Sequence, residues 1–208
     1  GGLAFGFPLD LINYVNPTYL DFDSTLAQSS VSNNEVQDKG GGIWCHHGGS
    51  LTIDKSVIGD NTAPAEGGGI YQEGGDLFIK NSTIAGNTGW RGGGLYTVGD
   101  LNPSPTLSLT LTTVAYNSAT DTGSEFRSGG GGLNINGTTF MENNLVLLNT
   151  NNDCDLNQEL TGDYGTCGEE YCLEFMSTDS DDTCGFAFTE PLPQIGPFNS
   201  TFVPILTG

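Results

Sequence analysis

Residues 40–61 read GGGIWCHHGGSLTIDKSVIGDN, and residues 67–87 read GGGIYQEGGDLFIKNSTIAGN, so one pattern occurs twice in succession. Each copy begins with three glycines and an apolar–aromatic pair, continues through an L-x-I alternation and a serine, and ends on Ile-x-x-Asn. Short segments that alternate with period two, divided by Gly, Asn and Asp, predict strands rather than helices. This repeat is therefore the unit from which the fold is predicted.

The closing element extends well beyond the two copies. Five copies of [Ile/Val]-x-x-Asn end on asparagines spaced 27, 26, 30 and 32 residues apart. These are Asn34, Asn61, Asn87, Asn117 and Asn149. A propeller blade needs about 40 residues, which is longer than this period, whereas a three-stranded solenoid coil fits it. We predict an all-β, right-handed parallel β-helix of about five to six coils, with the asparagines forming a ladder at one turn through their side-chain amides.

Stacking of the coils places equivalent residues in columns. Two apolar columns are predicted to point inward: Ile43, Ile70, Leu95 and Leu133, and Leu26, Ile53, Ile79, Leu109 and Met141. Strand alternation then turns the next residues, Trp44, Tyr71 and Tyr96, outward. An exposed stripe of three stacked rings is a candidate binding site for a sugar face or a partner protein. The alternatives are a stabilising aromatic ladder, or a register in which these rings are the buried set.

Four segments are predicted. Residues 24–150 hold the parallel β-helix repeats, and residues 1–23 form an N-terminal coil or cap. Residues 151–190 interrupt the repeat with 11 carboxylates and are predicted to form a disulfide-stapled acidic cap or loop, since the last coil of a solenoid is otherwise a bare strand edge. Residues 191–208, PLPQIGPFNSTFVPILTG, form an extended tail that either lies along its own solenoid or adds as a strand to a neighbouring molecule.

The Gly-Gly-Gly-Ile turns and the Ile-x-x-Asn strands resemble the β-helical passenger repeats of polymorphic outer-membrane proteins and related bacterial surface adhesins. Those repeats carry a GGA[ILV] element and an F-x-x-N element, whereas this chain has GGGI or GGGL, and Val or Ile in place of the Phe. The resemblance covers about residues 24–149. It implies a β-helical fold and an adhesive or surface-structural role, and it implies no catalytic residue.

The charge balance excludes several partners. The formal net charge is -20, from 25 acidic and 5 basic residues, so nucleic acid and anionic membranes are not expected to bind. No apolar run of about 18 residues is present, so membrane insertion is not predicted either. No cofactor and no defined metal site are predicted, although acidic clusters such as residues 179–182 could bind calcium.

The cysteines favour an extracellular or cell-surface location. Cys154, Cys167, Cys172 and Cys184 lie among acidic and turn-forming residues without zinc-type spacing, which favours two disulfides in an oxidising compartment, with three pairings open. Cys45 is the fifth cysteine, and we predict that it is either a buried free thiol or part of an intermolecular disulfide. Three N-x-S/T sequons are glycosylation candidates if the source modifies secreted proteins: Asn81, Asn136 and Asn199.

No catalytic constellation is found. Polygalacturonase-like sites carry N-T-D, D-D and G-H-G elements; here the Asp-Asp pair lies in the cysteine-rich region, and His46-His47-Gly48-Gly49 is not G-H-G. Lys39, Glu66 and Arg91 precede three successive glycine turns and predict a column of ion pairs.

We therefore predict a non-enzymatic, secreted or cell-surface β-solenoid, structural or adhesive. It would self-associate into an oligomer or filament through its coil ends or its tail, and bind an extracellular glycan or a surface protein. The alternatives are a polysaccharide-active lyase or hydrolase, and a glycan-binding module.

Overall fold

The structure, a computed structural model, describes residues 2–5, 23–47, 49–98, 105–121, 129–151, 154–156 and 173–174. These residues form nineteen strands and no helix, so no helix long and apolar enough to cross a membrane occurs among them. The strands are β1 (Leu3–Phe5), β2 (Asp23–Ala27), β3 (Ser30–Ser32), β4 (Ile43–Cys45), β5 (Ser50–Asp54), β6 (Val57–Gly59), β7 (Ile70–Gln72), β8 (Asp76–Lys80), β9 (Thr83–Ala85), β10 (Thr88–Gly89), β11 (Leu95–Thr97), β12 (Thr106–Thr110), β13 (Thr113–Ala115), β14 (Ser118–Ala119), β15 (Leu133–Ile135), β16 (Thr138–Glu142), β17 (Leu145–Leu147), β18 (Cys154–Leu156) and β19 (Leu173–Glu174).

Three long sheets run along the molecule, and each coil contributes one strand to each sheet. The first sheet has the order β1-β4-β7-β11-β15-β18, the second β16-β12-β8-β5-β2, and the third β19-β17-β13-β9-β6-β3. A short fourth sheet pairs β10 with β14. All pairings are parallel, and each strand pairs with its equivalent one coil away. The predicted parallel β-solenoid is thereby confirmed.

The interior is filled by the apolar columns that the repeat predicts. Ile43, Ile70, Leu95 and Leu133 align on the first sheet, and the Leu26 column aligns on the second. The third sheet adds a column of β-branched residues: Val31, Ile58, Ile84, Val114 and Val146. All of these are buried except Leu26, which is partly buried in the first coil. The core is therefore continuous from coil to coil, as a solenoid requires.

The five asparagines form a ladder at the corner that follows the third sheet. The Nδ2 of each of the first four donates to the Oδ1 of the asparagine in the next coil, at 2.9, 2.9, 2.9 and 3.0 Å. The backbone N–H of each of these four donates to the same oxygen. The ladder asparagines do not themselves adopt the left-handed conformation. The residue before each one does so, with φ between 55° and 71°. These are Asn33, Asp60, Gly86, Tyr116 and Leu148.

A second polar ladder, which the sequence reading missed, lies at the corner between the second and third sheets. It consists of Ser29, Ser56, Ser82, Thr112 and Asn144. Backbone N–H groups donate to the side-chain oxygen one coil on, as from Ser29 to Ser56 and from Thr112 to Asn144. A residue with φ near 50° precedes each member here too. Each coil thus turns two corners in the same way, with a left-handed residue and then an inward polar side chain.

The triple-glycine turns bring neighbouring coils into close backbone contact. Gly67 has φ +70°, a conformation that glycine adopts without strain. A Cβ added to Gly68 would lie 2.3 Å from the backbone carbonyl of Thr88, closer than any real Cβ approaches such an atom. The first glycine is therefore required for the turn, and the second for the stacking distance.

Candidate functional site

The candidate site lies on the outer face of the first sheet, where the middle residues of β4, β7 and β11 point away from the core. The register aligns Trp44 with Tyr71 and Tyr71 with Tyr96. The Trp44 and Tyr71 rings meet edge to face with centroids 5.5 Å apart, and the Tyr71 and Tyr96 rings stack at 5.7 Å. The three predicted aromatic residues therefore form one contacting column.

The column is not the exposed stripe that strand alternation predicts. Trp44 and Tyr96 are half-buried, but Tyr71 is only 4% exposed. Lys39 covers it from the loop before the preceding glycine turn: its Nζ lies 4.8 Å from the ring centroid and 3.2 Å from the hydroxyl. The same Nζ lies 3.5 Å from Glu66 Oε2. A residue that points outward from a strand is thus buried here by charged side chains of neighbouring loops.

This burial shifts two ionisable groups. Burial raises the pKa of the Tyr71 hydroxyl, and the Lys39 ammonium offsets only part of that rise. Burial by itself lowers the pKa of Lys39, but the hydrogen bond to Tyr71 and the charge of Glu66 outweigh it, so the pKa is raised overall. At neutral pH the pair is therefore a neutral tyrosine beneath a charged lysine.

A second group adjoins Trp44. The imidazole of His46 stacks on the indole with centroids 4.6 Å apart and an interplanar angle of 20°. His46 Nδ1 lies 2.9 Å from Glu73 Oε2, one coil away. The neighbouring His47 packs against the backbone of the next coil, since a Cβ added to Gly74 would lie 2.5 Å from His47 Nδ1. Burial lowers the pKa of His47, and Glu73 counteracts this only in part.

A third group, centred on Trp90, was not predicted. The indole is 39% exposed, and the Arg91 guanidinium carbon lies 4.1 Å from its ring centroid. Arg91 Nε donates to Asp121 Oδ2 at 2.8 Å. The predicted column of ion pairs is therefore correct for Lys39 and Glu66, whereas Arg91 pairs with Asp121. A lone tryptophan outside the repeat positions gave no periodic signal that could have placed it here.

The other predicted site residues fall into three groups. Among the sequons, Asn81 is exposed, whereas Asn136 is buried, with Nδ2 donating to the Thr97 carbonyl. Glycosylation at either residue stays a prediction. Asn199 lies outside the described residues.

Among the cysteines, Cys45 is a free buried thiol, and burial raises its pKa to about 12. Cys154 is buried at the start of β18. Its predicted partners Cys167, Cys172 and Cys184 lie outside the described part of the chain, so their pairing stays a prediction. The acidic cluster of residues 179–182 also lies outside it. Within the described part, no three His, Cys, Asp or Glu side chains come close enough together to hold a metal ion.

Comparison with known proteins agrees with the geometry. The family model described as "Right handed beta helix region" matches residues 19–160. The chain belongs to this family. The handedness predicted from the sequence is thereby supported, and the match spans the coils that carry both ladders and the aromatic column. Neither the search of curated proteins nor the search of solved structures found a match, so the right-handed β-helix family gives the fold of this chain and leaves its activity open.

Chemically, the site consists of hydrogen bonds and ion pairs that join different coils. Lys39 with Tyr71 and Glu66, His46 with Glu73, and Arg91 with Asp121 each join residues at least 27 positions apart in sequence. Trp90 is exposed and Trp44 is half-buried, so both indoles keep some open apolar surface. Indole rings with adjacent carboxylates suit the face of a sugar or the side chains of a partner protein.

Proposed function

We propose that this chain is a non-catalytic β-solenoid of the extracellular space or cell surface, acting as a rigid structural and adhesive module. The observation that carries the proposal is the use of the ionisable side chains on the first sheet. The His46–Glu73 pair and the Lys39–Tyr71–Glu66 group each hold two successive coils together. A general acid or base must instead be aimed at a substrate.

Rigidity supports the same role. Both polar ladders join successive coils by hydrogen bonds to a side-chain oxygen, and their members are buried from the second coil onward. Buried polar networks whose members are all satisfied fix a single arrangement. Such a rod would hold its ends and its side loops at set distances, which is what a spacer or an adhesive stalk requires.

Self-association is part of the proposal, and the second sheet supports it. Among the described strands, its end members β2 and β16 each pair on one side. Continuing the observed register would place Leu26 of one copy against Met141 of another, apolar against apolar. A head-to-tail contact of this kind does not close on itself and produces filaments. The tail, residues 191–208, is the other candidate connector.

Glu73→Gln separates the structural role from an enzymatic one. The variant keeps the shape of the side chain and removes the charge beside His46. We expect a loss of about 1 kcal/mol or less in unfolding free energy, because the pair is partly exposed. We also expect no release of products from uronic-acid polymers by the wild-type protein, with or without calcium. Product release that Glu73→Gln abolishes would instead support a polysaccharide-active enzyme.

Assembly is tested by light scattering and electron microscopy of the full chain, of a variant lacking residues 191–208, and of Leu26→Asp. We expect concentration-dependent oligomers that Leu26→Asp abolishes, since it places a charge at the end of an apolar column. Discrete monomers at every concentration would refute self-association. Oligomers lost only on deletion of the tail would identify the tail as the connector.

Glycan binding is the second candidate, favoured by the indole surfaces of Trp44 and Trp90. It predicts that Trp44→Ala or Trp90→Ala weakens retention on a glycan array about tenfold or more, while the fold is kept. Tyr71→Phe is the matched control, because that ring is buried beneath Lys39 and cannot meet a ligand.

A further inference from the structure

The outer face of the second sheet carries two exposed phenylalanines. From the first coil to the fifth, the middle outward position of this sheet reads Thr25, Thr52, Phe78, Ser108 and Phe140. Phe78 is 39% exposed and Phe140 is 55% exposed. Neighbouring strands lie about 4.8 Å apart, so the two strands that carry these rings are about 10 Å apart, with Ser108 between them. The two rings therefore form an apolar pair in a column that is polar in the first two coils.

A charged residue follows each ring on the same face. Lys80 comes two positions after the first ring and Glu142 two positions after the second, and the register aligns them in one outward column with Thr110 between them. Both charged side chains are exposed. Lys80 also lies beside Asp54 in the register, yet neither Lys80 nor Glu142 forms an ion pair with another described residue. One cation and one carboxylate are thus available for a contact with another molecule.

These four residues make the face complementary to itself. A two-fold axis that runs parallel to the strands and passes over β12 exchanges the third coil of one copy with the fifth coil of the other. It brings Phe78 of one copy opposite Phe140 of the other, and Lys80 opposite Glu142. Symmetry repeats each of these contacts, so the pair has two of each. Sheets that pack face to face lie about 10 Å apart, a distance that phenyl rings and long charged side chains bridge.

The parallel orientation of two copies is less complementary. An axis along the solenoid would align all five coils with their equivalents and bring Lys80 opposite Asp76. It would also draw Asp23, Asp54 and Glu142 of both copies into the contact, each opposite an uncharged residue. Removing unpaired carboxylates from water is unfavourable. The antiparallel orientation engages the third to fifth coils, and it leaves Asp76 as the one unpaired carboxylate that these coils place on the face.

We propose that the outer face of the second sheet is the docking surface for a second copy of this chain, in an antiparallel pair about a two-fold axis over β12. Five-residue strands in three coils cover about 15 Å by 17 Å, which is well below the roughly 800 Å² per partner of a standard interface. The pairing is therefore weak, and it forms in concentrated solution. It uses a side face and not the coil ends, so it is independent of the head-to-tail contact of the proposed function.

The test is sedimentation equilibrium of the full chain between about 10 µM and 1 mM. Salt of about 0.15 M screens the long-range repulsion between acidic chains. We expect a monomer–dimer equilibrium that persists in Leu26→Asp, because that substitution removes only the longer head-to-tail oligomers. Thermal unfolding verifies that each variant keeps the fold.

Removal of one ring tests the apolar part of the contact. Phe140→Thr should raise the dimer Kd at least tenfold, since the axis makes the substitution act twice. Threonine suits the strand, because Thr25 and Thr52 hold the equivalent position. Val57→Thr is the matched control. It removes an exposed apolar residue from the third sheet, where the neighbouring coils have Ser30 and Thr83, and it should leave the Kd unchanged.

Charge reversal tests the polar part of the contact. Lys80→Glu and Glu142→Lys each place like charges opposite one another, so we expect each to raise the Kd at least tenfold. Combined, they exchange the two charges and should restore the wild-type Kd. Glu142→Lys also replaces one negative charge by a positive one, which changes the formal net charge from -20 by two, to -18. A smaller net charge by itself would strengthen association, so weaker pairing in this variant reports the specific contact.

Three results would overturn the proposal. The first is a chain that stays monomeric up to about 1 mM; retention on a glycan array that Phe140→Thr abolishes would then assign the face to a sugar. The second is a dimer whose Kd the single charge reversals leave unchanged. The third is a double reversal that fails to restore pairing, and rescue by Lys80→Asp combined with Asp76→Lys would then establish the parallel orientation.

Discussion

The buried asparagine ladder and the aromatic column are both built by stacking one residue per coil, yet they are held in different ways. The ladder side chains bond to the equivalent side chains and to backbone groups one coil away. The four Nδ2–Oδ1 distances between successive asparagines are 2.9–3.0 Å. The aromatic column changes from edge-to-face to stacked within three rings, and its burial depends on Lys39 in a loop.

The difference shows which columns a solenoid repeat fixes. Inside, the backbone presents the same donors and acceptors in every coil, so each position accepts only side chains that complete the same pattern. Outside, the neighbours of a side chain come from loops of unequal length, so its environment changes from coil to coil. We therefore expect substitutions in the ladder to cost more than substitutions in the aromatic column.

Asn87→Ala should have the largest effect. It removes the acceptor of both the Asn61 backbone N–H and the Asn61 Nδ2, and these groups are buried. Each unsatisfied buried donor costs about 1–3 kcal/mol, so we expect a loss of about 4 kcal/mol in urea unfolding.

Asn34→Ala is the control for Asn87→Ala. Asn34 is half-buried at the first rung of the ladder, so its loss should cost about 1 kcal/mol. Equal effects at the two positions would show that the ladder does not act as a buried network.

Tyr71→Ala compared with Trp44→Ala tests the aromatic column. Tyr71 is buried beneath Lys39, so truncation should cost about 3 kcal/mol, as for other buried aromatic residues. The larger Trp44 is half-buried, and we expect a loss of about 1–2 kcal/mol. A greater loss at Trp44 would mean that the column is open along its length, as strand alternation alone predicts.

The same contrast explains how far the sequence could predict the molecule. The period of Ile-x-x-Asn predicted the solenoid, the ladder and the inward columns, because all three follow from residues that recur at one position of every coil. The second ladder was missed because its members change from Ser to Thr to Asn along the chain. Only their shared role as hydrogen-bonding side chains after a left-handed residue identifies them.

The outer surface was predicted less well, for a physical reason. The sequence placed Tyr71 outside the core but could not show that Lys39 folds back over it, since that contact joins residues 32 positions apart. It named Asn136 as a glycosylation candidate but could not show that its side chain bonds to Thr97, 39 positions away. Such contacts depend on loop conformation, which produces no periodic pattern in the sequence.

His47→Gln should have the smallest effect, and it is visible only as a change with pH. Because burial lowers the pKa of His47 below its usual 6.5, the unfolded chain takes up a proton at a higher pH than the folded chain does. Stability contributed by the neutral imidazole is therefore complete above about pH 6.5 and is lost as the pH falls through the folded pKa. We expect the Tm of the wild type to fall as the pH drops below this value.

Gln cannot be protonated in this range, so the variant should show a flatter profile. Gly74 packs against the ring, so the comparison is made on the slope and not on the absolute Tm. His46→Gln serves as the partner control, because it removes the imidazole that pairs with Glu73 and leaves His47 in place. A slope that His47→Gln leaves unchanged would contradict the prediction.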